Sequence, residues 1–168
     1  MLILVSCYQM KINLTICGVQ ELPEQKGKRW THIISIWEKD LEDDKACREL
    51  VKTVDPRADL LFSFFADTIV PRHTHAPRLQ DVERILDFTC GLTPKSNVLV
   101  HCRAGVSRST AIAYAILCQH SKPGMERENL LHVQSLREWA YPNQLIVKLA
   151  DRALKRKGAM LLHLPREP

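Results

Sequence analysis

Aromatic residues are scarce in this chain: four Phe, three Trp and three Tyr make up 6% of its 168 residues. Dense Lys/Arg patches interleaved with aromatics are missing as well, so the net charge of +5 points to anionic partners without implying nucleic acid. No apolar run approaches the roughly 20 residues a membrane span needs. The opening "MLILVSC" ends like a lipoprotein cleavage site, but it lacks a basic leader and its apolar run is too short for a secretory core. A first strand is the better reading. The six cysteines (7, 17, 47, 90, 102 and 118) include no CxxC pair, which removes the usual zinc-ribbon spacing. With 45% hydrophobic and 26% charged residues, the chain can bury a core without a disulfide framework, and reduced thiols in a cytoplasm suit it. Cys17, Cys90 and Cys118 stand in apolar contexts, where cysteine acts as a small hydrophobe. Repeats, low-complexity tracts and Gly/Pro-rich linkers are all absent, so residues 1–168 read as one domain.

What is present alternates between two periodicities. "LTICGV" (14–19), "HIISIWE" (32–38), "DLLFSFFAD" (59–67) and 97–101 are short Ile/Val/Leu/Phe-rich runs, the pattern of strands. Helical spacing appears in "LEDDKACRELVKTV" (41–54), through Leu41, Ala46, Leu50 and Val51. It recurs in "APRLQDVERILDFTCGL" (76–92), where Pro77 suits a first turn, and in a run from the 108 region to about His120. Two more helices are expected near 125–139 and 143–156, with "KRKG" (155–158) as a cationic helix end and its glycine cap. Strands alternating with helices predict an α/β layered domain, with a central, mainly parallel sheet flanked by helices.

The stretch "VLVHCRAGVSRST" (98–110) carries the chemistry. A loop that leaves a parallel strand and enters a helix exposes backbone N–H groups, which together with the helix dipole cradle a tetrahedral anion. Gly105 permits the tight turn, and Arg108 at the helix start can bind two anion oxygens at once. Residues Arg103, Ala104, Gly105, Val106, Ser107 and Arg108 are therefore the candidate phosphate cradle. The same positive features favour the thiolate of Cys102, a nucleophile at the floor of the cradle. Ser109 can donate to the sulfur when sulfur leaves. His101, without the companions a metal ligand needs, is expected to fix loop geometry through a ring N–H.

"HCRAGVSRST" resembles the HCxxGxxR(S/T) signature of the cysteine-based protein tyrosine phosphatase superfamily, and its AGxSRS form resembles the dual-specificity branch. "LTICGVQELPE" with "WTHIISIWE" is similar to that family's opening strand pair. "LREWAYPNQLIVKLAD" resembles its late R-x-x-A-x-P-N segment, which packs near the catalytic loop. The likeness spans about residues 14 to 154 and suits a compact, single-domain bacterial-type member. It implies a phosphatase-type fold and hydrolysis of phosphomonoesters, chiefly protein phosphotyrosine and also phosphoserine or phosphothreonine, through a phosphocysteine on Cys102. Phosphate or sulfate would occupy the loop, with no cofactor or metal.

A departing alkoxide or phenolate needs a general acid from another loop. In the family this is an aspartate following the strand before the catalytic one, where "FFADTIVPRHTHAP" stands, so Asp67 is favoured over Asp59 and Asp81; Asp55 precedes the strand. His73 and His75 lack a third partner and read as residues lining an entrance. Arg72, Arg78 and Arg103 are cations for the pocket mouth or a solvated face. Two alternatives keep the fold: a phosphoinositide or RNA 5′-phosphate phosphatase, which a lysine-rich loop would have suited better, and a phosphate-binding pseudophosphatase that docks partners. A low-molecular-weight phosphatase is excluded by order, because its cysteine loop lies near the N-terminus.

Overall fold

The computed structural model describes residues 12–41 and 45–165. Four strands, β1 (Asn13–Gly18), β2 (His32–Trp37), β3 (Asp59–Phe64) and β4 (Asn97–Cys102), form one sheet in the order β1-β4-β2-β3. Every pairing is parallel. Five helices accompany it: α1 (Lys45–Lys52), α2 (Leu79–Thr89), α3 (Arg108–Gln119), α4 (Glu126–Leu136) and α5 (Gln144–Ala153). The layered, parallel α/β architecture expected from the alternation is thus the one observed.

Successive side chains of a strand face opposite ways, and the two faces carry separate cores. Leu14, Ile16, Ile34, Ile36, Val98 and Val100 pack beneath α2, α3 and α5. Cys17, Ile33, Trp37 and Leu99 pack with Leu22, Trp30 and Val51 on the opposite face. Helix α3 is apolar or small all round ("RSTAIAYAILC") and is buried over Arg108–Cys118, as a helix enclosed by the sheet and by α2, α4 and α5 must be. Its Tyr114 hydroxyl donates to the Met160 carbonyl, docking the tail.

Several boundaries move. Of the first expected helix, the acidic residues 42–44 lie outside the described residues; Leu41 ends a short 3₁₀ turn (Lys39–Leu41), and α1 has Val51 as its one buried residue. Strand β3 stops at Phe64, leaving Asp67 on the following loop. Pro77 lies before α2, not in its first turn. Cys17 and Cys118 are buried as small hydrophobes, whereas Cys90 is exposed at the end of α2. The "KRKG" cluster is only half a cationic helix end. Lys155 and Lys157 take positive φ with Gly158, while the Arg156 guanidinium turns inward to buried Glu126 and to the Cys118 and Ser121 carbonyls. The apolar opening read as a first strand lies outside the described residues. Among the described residues no helix is long and apolar enough to cross a membrane.

Pairing of β1 with β4 sets Gly18 opposite Cys102, so the loop leaving β4 runs against the end of β1. Gly105 has φ +73°, and a Cβ there would lie 2.6 Å from the Cys17 carbonyl carbon and the Gly18 nitrogen. Both atoms are backbone and cannot yield cheaply. Gly105→Ala should therefore lower unfolding stability by about 2–4 kcal/mol in urea titration, from left-handed strain plus overpacking. A loss below about 0.5 kcal/mol, the ordinary range for a surface change, would contradict this packing.

Candidate active site

Five consecutive carbonyls of the 103–107 loop are turned outward and bonded to the scaffold. Arg103 accepts from Val19 N (3.0 Å), Val106 from Tyr141 N (2.9 Å), and Ser107 from Ala111 N (3.0 Å) and Asn143 N (3.3 Å). Ala104 and Gly105 accept from Arg137 Nη2 and Nε, both at 3.1 Å. In a trans peptide the C=O and the next N–H point opposite ways. Anchoring those carbonyls therefore turns the N–H groups of Ala104, Gly105, Val106, Ser107 and Arg108 to the inside of the loop. Cys102 Sγ sits there, buried, 3.3 Å from the Gly105 nitrogen and 3.2 Å from Ser109 Oγ.

Arg108 starts α3 and is 2% exposed. Its Nη2 pairs with Glu38 Oε1 at 2.5 Å and its Nη1 donates to the Phe65 carbonyl at 2.9 Å. Nε is buried without a hydrogen-bond partner, 3.9 Å from Asp67 Oδ2. A buried guanidinium N–H without an acceptor is a place for an oxygen that arrives with a ligand.

Asp67 reaches the loop. Its Oδ1 accepts from Ser107 Oγ (2.7 Å) and from Asn143 Nδ2 (2.8 Å), which also donates to the Thr68 carbonyl. Asn143 Oδ1 meanwhile caps α5 by accepting from Ile146 N, so one residue ties the loop after β3 to the cradle and to a helix start. The competitors lie elsewhere. Asp59 is exposed at the opposite end of β3, Asp81 accepts from Arg78 N at the start of α2, and Asp55 holds Trp30 N and Arg57.

His101 lies on the other face of β4 from Cys102, as adjacent strand residues do, and its Nε2 meets Ser35 Oγ there at 2.8 Å. Burial pushes its pKa down to about 4. Burial also pushes the Cys17 thiol up to about 12, which leaves it an inert core residue. Arg103 is exposed beside Gln20, Glu21 and Arg137 at the loop's outer edge. His73 and His75 stack edge-on, with His75 N donating to His73 Nδ1. Among the described residues no group of three or more His, Cys, Asp or Glu is placed to hold a metal ion.

No family model and no curated protein matches the sequence. Solved structures do. Tk-PTP in its active form is 20% identical over 92% of this chain and 99% of that one, with a TM-score of 0.56. The human tyrosine phosphatase-like serine/threonine/tyrosine-interacting protein is 24% identical over 89% and 93%, at 0.59. PTPMT1 in complex with PI(5)P is 13% identical over 89% and 94%, at 0.57. The chain has the fold of the cysteine-based tyrosine and dual-specificity phosphatases.

Within this phosphatase fold, sequence reading missed Glu38, Glu21 and Ser35. Glu38 had a visible signal, a carboxylate ending an apolar strand at the sheet edge where parallel α/β sites form. Glu21 had none. It accepts from Gly18 N at 2.6 Å and from Arg137 at 2.7 and 2.8 Å in a bidentate pair, so Arg137 can hold two loop carbonyls while its charge is balanced. Those hydrogen bonds from Arg137 hold Glu21 below the usual carboxylate range. A depressed carboxyl stabilises the fold above its unfolded pKa and loses that contribution as pH falls through the folded one. Glu21→Gln should thus flatten the acid-side fall of the urea midpoint between neutral and acidic pH. An unchanged slope would mean that the clamp contributes nothing to the folded state.

Proposed function

We propose that this protein hydrolyses phosphomonoesters through a phosphocysteine on Cys102, with phosphotyrosyl protein as the favoured substrate and phosphoserine or phosphothreonine admitted. The carrying observation is the anchoring of the 103–107 carbonyls to the scaffold, which turns the intervening N–H groups inward with Gly105 N on Cys102 Sγ, beside an Arg108 Nε that lacks an acceptor. In the first step the thiolate attacks phosphorus and the P–O ester bond breaks. The cradle N–H groups and Arg108 hold the equatorial oxygens, where charge accumulates. Asp67, protonated, gives its proton to the departing oxygen. In the second step a water attacks the phosphocysteine, Asp67 takes its proton, and the S–P bond breaks. Ser109 donates to the leaving sulfur.

Glu38 and the Phe65 carbonyl hold the fork of Arg108 before substrate arrives, so little reorganisation is left for the reaction itself. We read the whole chain as one catalytic domain acting in a cytoplasm, where a thiolate stays reduced. Recognition of a phosphoinositide is the second reading, favoured by the likeness to PTPMT1 in complex with PI(5)P and by exposed Arg103 beside the cradle.

Turnover of aryl phosphates is the test. It should proceed in excess chelator and be inhibited by vanadate. Cys102→Ser should fall to background. Arg108→Lys, which keeps the charge but loses the fork, should lose roughly ten-fold or more in kcat/KM, one charge-assisted hydrogen bond being worth about 1.5–3 kcal/mol. Asp67→Asn should slow phenyl phosphate far more than an activated nitrophenyl ester. Activity abolished by chelator and restored by a divalent cation would overturn the cysteine route. Preference for phosphoinositide over phosphopeptide would select the second reading.

A further inference from the structure

His101 lies fully buried between two partners of fixed character. Trp37 Nε1–H, which can only donate, approaches Ser35 Oγ at 2.6 Å, and the same Oγ lies 2.8 Å from His101 Nε2. Ser35 is 1% exposed, and its hydroxyl oxygen receives the indole proton. Among the described residues that oxygen has no other partner, so the buried hydroxyl proton goes to His101 Nε2, which must then be unprotonated. The Trp37 ring closes the site, edge to face with the imidazole at 5.5 Å and 82°. In the β2–β4 register Ser35 stands directly opposite His101.

We infer that Ser35, oriented by Trp37, is a positioning residue that fixes His101 as its neutral Nδ1–H tautomer, and so sets the backbone from which Cys102 projects. The buried Nδ1 has no hydrogen-bond partner within bonding geometry, but the Cys102 backbone is near enough to act on the ring, so a proton on Nδ1 makes it a donor facing that peptide.

The surroundings agree in sign. Burial, aided by the charge of Arg108 on α3, opposes protonation of the ring, and the Cys102 backbone acts in the opposite sense. Cys17, opposite His101 on β1, is held as a neutral thiol. Ser35 and Trp37 on β2 carry no charge. The ring is therefore not an imidazolium counter-ion for the thiolate, whose stabilisation falls to the cradle N–H groups, Ser109 and Arg108. That division separates this site from thiolate–imidazolium pairs, in which the histidine carries the charge.

The inference rests on Cys102 being a nucleophile, yet its readouts do not require ester turnover, so it and the phosphatase reading can fail separately. In histidine-labelled protein, nitrogen NMR should show His101 with a protonated Nδ1 and a bare Nε2 at neutral and mildly acidic pH. An Nε2–H tautomer or an imidazolium at neutral pH would overturn it. Alkylation of Cys102 by iodoacetamide at mildly acidic pH, followed by peptide mass spectrometry, gives the second reading. Ser35→Ala should slow alkylation about three- to ten-fold, the scale of one neutral hydrogen bond. Ser35→Thr should restore it, and Trp37→Phe, which keeps the ring contact and loses the N–H, should fall between. Wild-type alkylation rates in both Ser35→Ala and Trp37→Phe would also overturn it.

Discussion

A guanidinium that cannot reach water organises this molecule. Arg108 is buried at the start of α3, and an unpaired charge there would cost several kcal/mol, so its surroundings must supply acceptors. Glu38 from the end of β2 and the Phe65 carbonyl from beyond β3 do so, from two strands that lie side by side. Both acceptors sit at the C-terminal edge of the sheet, which draws the loops after β2, β3 and β4 towards one point. Nε is left over, 3.9 Å from the Asp67 carboxylate on the loop after β3.

The period-2 alternation of β4 then divides the work between the two faces. Cys102 points to the side of α3, where the loop N–H groups and Ser109 surround it. His101 points to the other side, into the layer of Trp37 and Ser35. Adjacent residues thus meet different environments: a positive cradle for the sulfur, an apolar and neutral cage for the imidazole. Outside the loop a second set of donors, Val19 N, Arg137, Tyr141 N and Asn143 N, keeps the carbonyls facing outward. Without that outer ring the peptide groups would be free to rotate, and the anion site would lose its shape.

Much of this was legible in the chain, for local reasons. Strand, glycine turn and helix start follow one another within "VLVHCRAGVSRST", and their order alone places a thiol and an arginine at a helix N-terminus. Asp67 was singled out by the family resemblance, and the structure brings its carboxylate against Ser107 of the loop. What stayed hidden depends on contacts distant in sequence. Glu21 and Arg137 are 116 residues apart, and Ser35 and His101 are 66 apart. Neither Ser35 nor Glu21 breaks its local pattern in a way that marks it. Arg156 misled in the other direction, because a basic run near a helix end has the same appearance whether its side chains are solvated or, like this one, folded inward onto Glu126. Cys90 misled because an apolar neighbourhood in sequence does not decide which side of a helix end a residue occupies.

The central claim is a covalent bond between phosphorus and Cys102 Sγ. Mixing the protein with an activated nitrophenyl phosphate, whose leaving group needs no acid, quenching in acid within milliseconds and mapping the peptides measures it directly. The Cys102 peptide should carry the added mass of one phosphoryl group, accumulating more in Asp67→Asn, where the water that releases it lacks its base. Phosphoryl mass on another residue, or product formed with no labelled peptide in wild type and Asp67→Asn alike, would contradict the account.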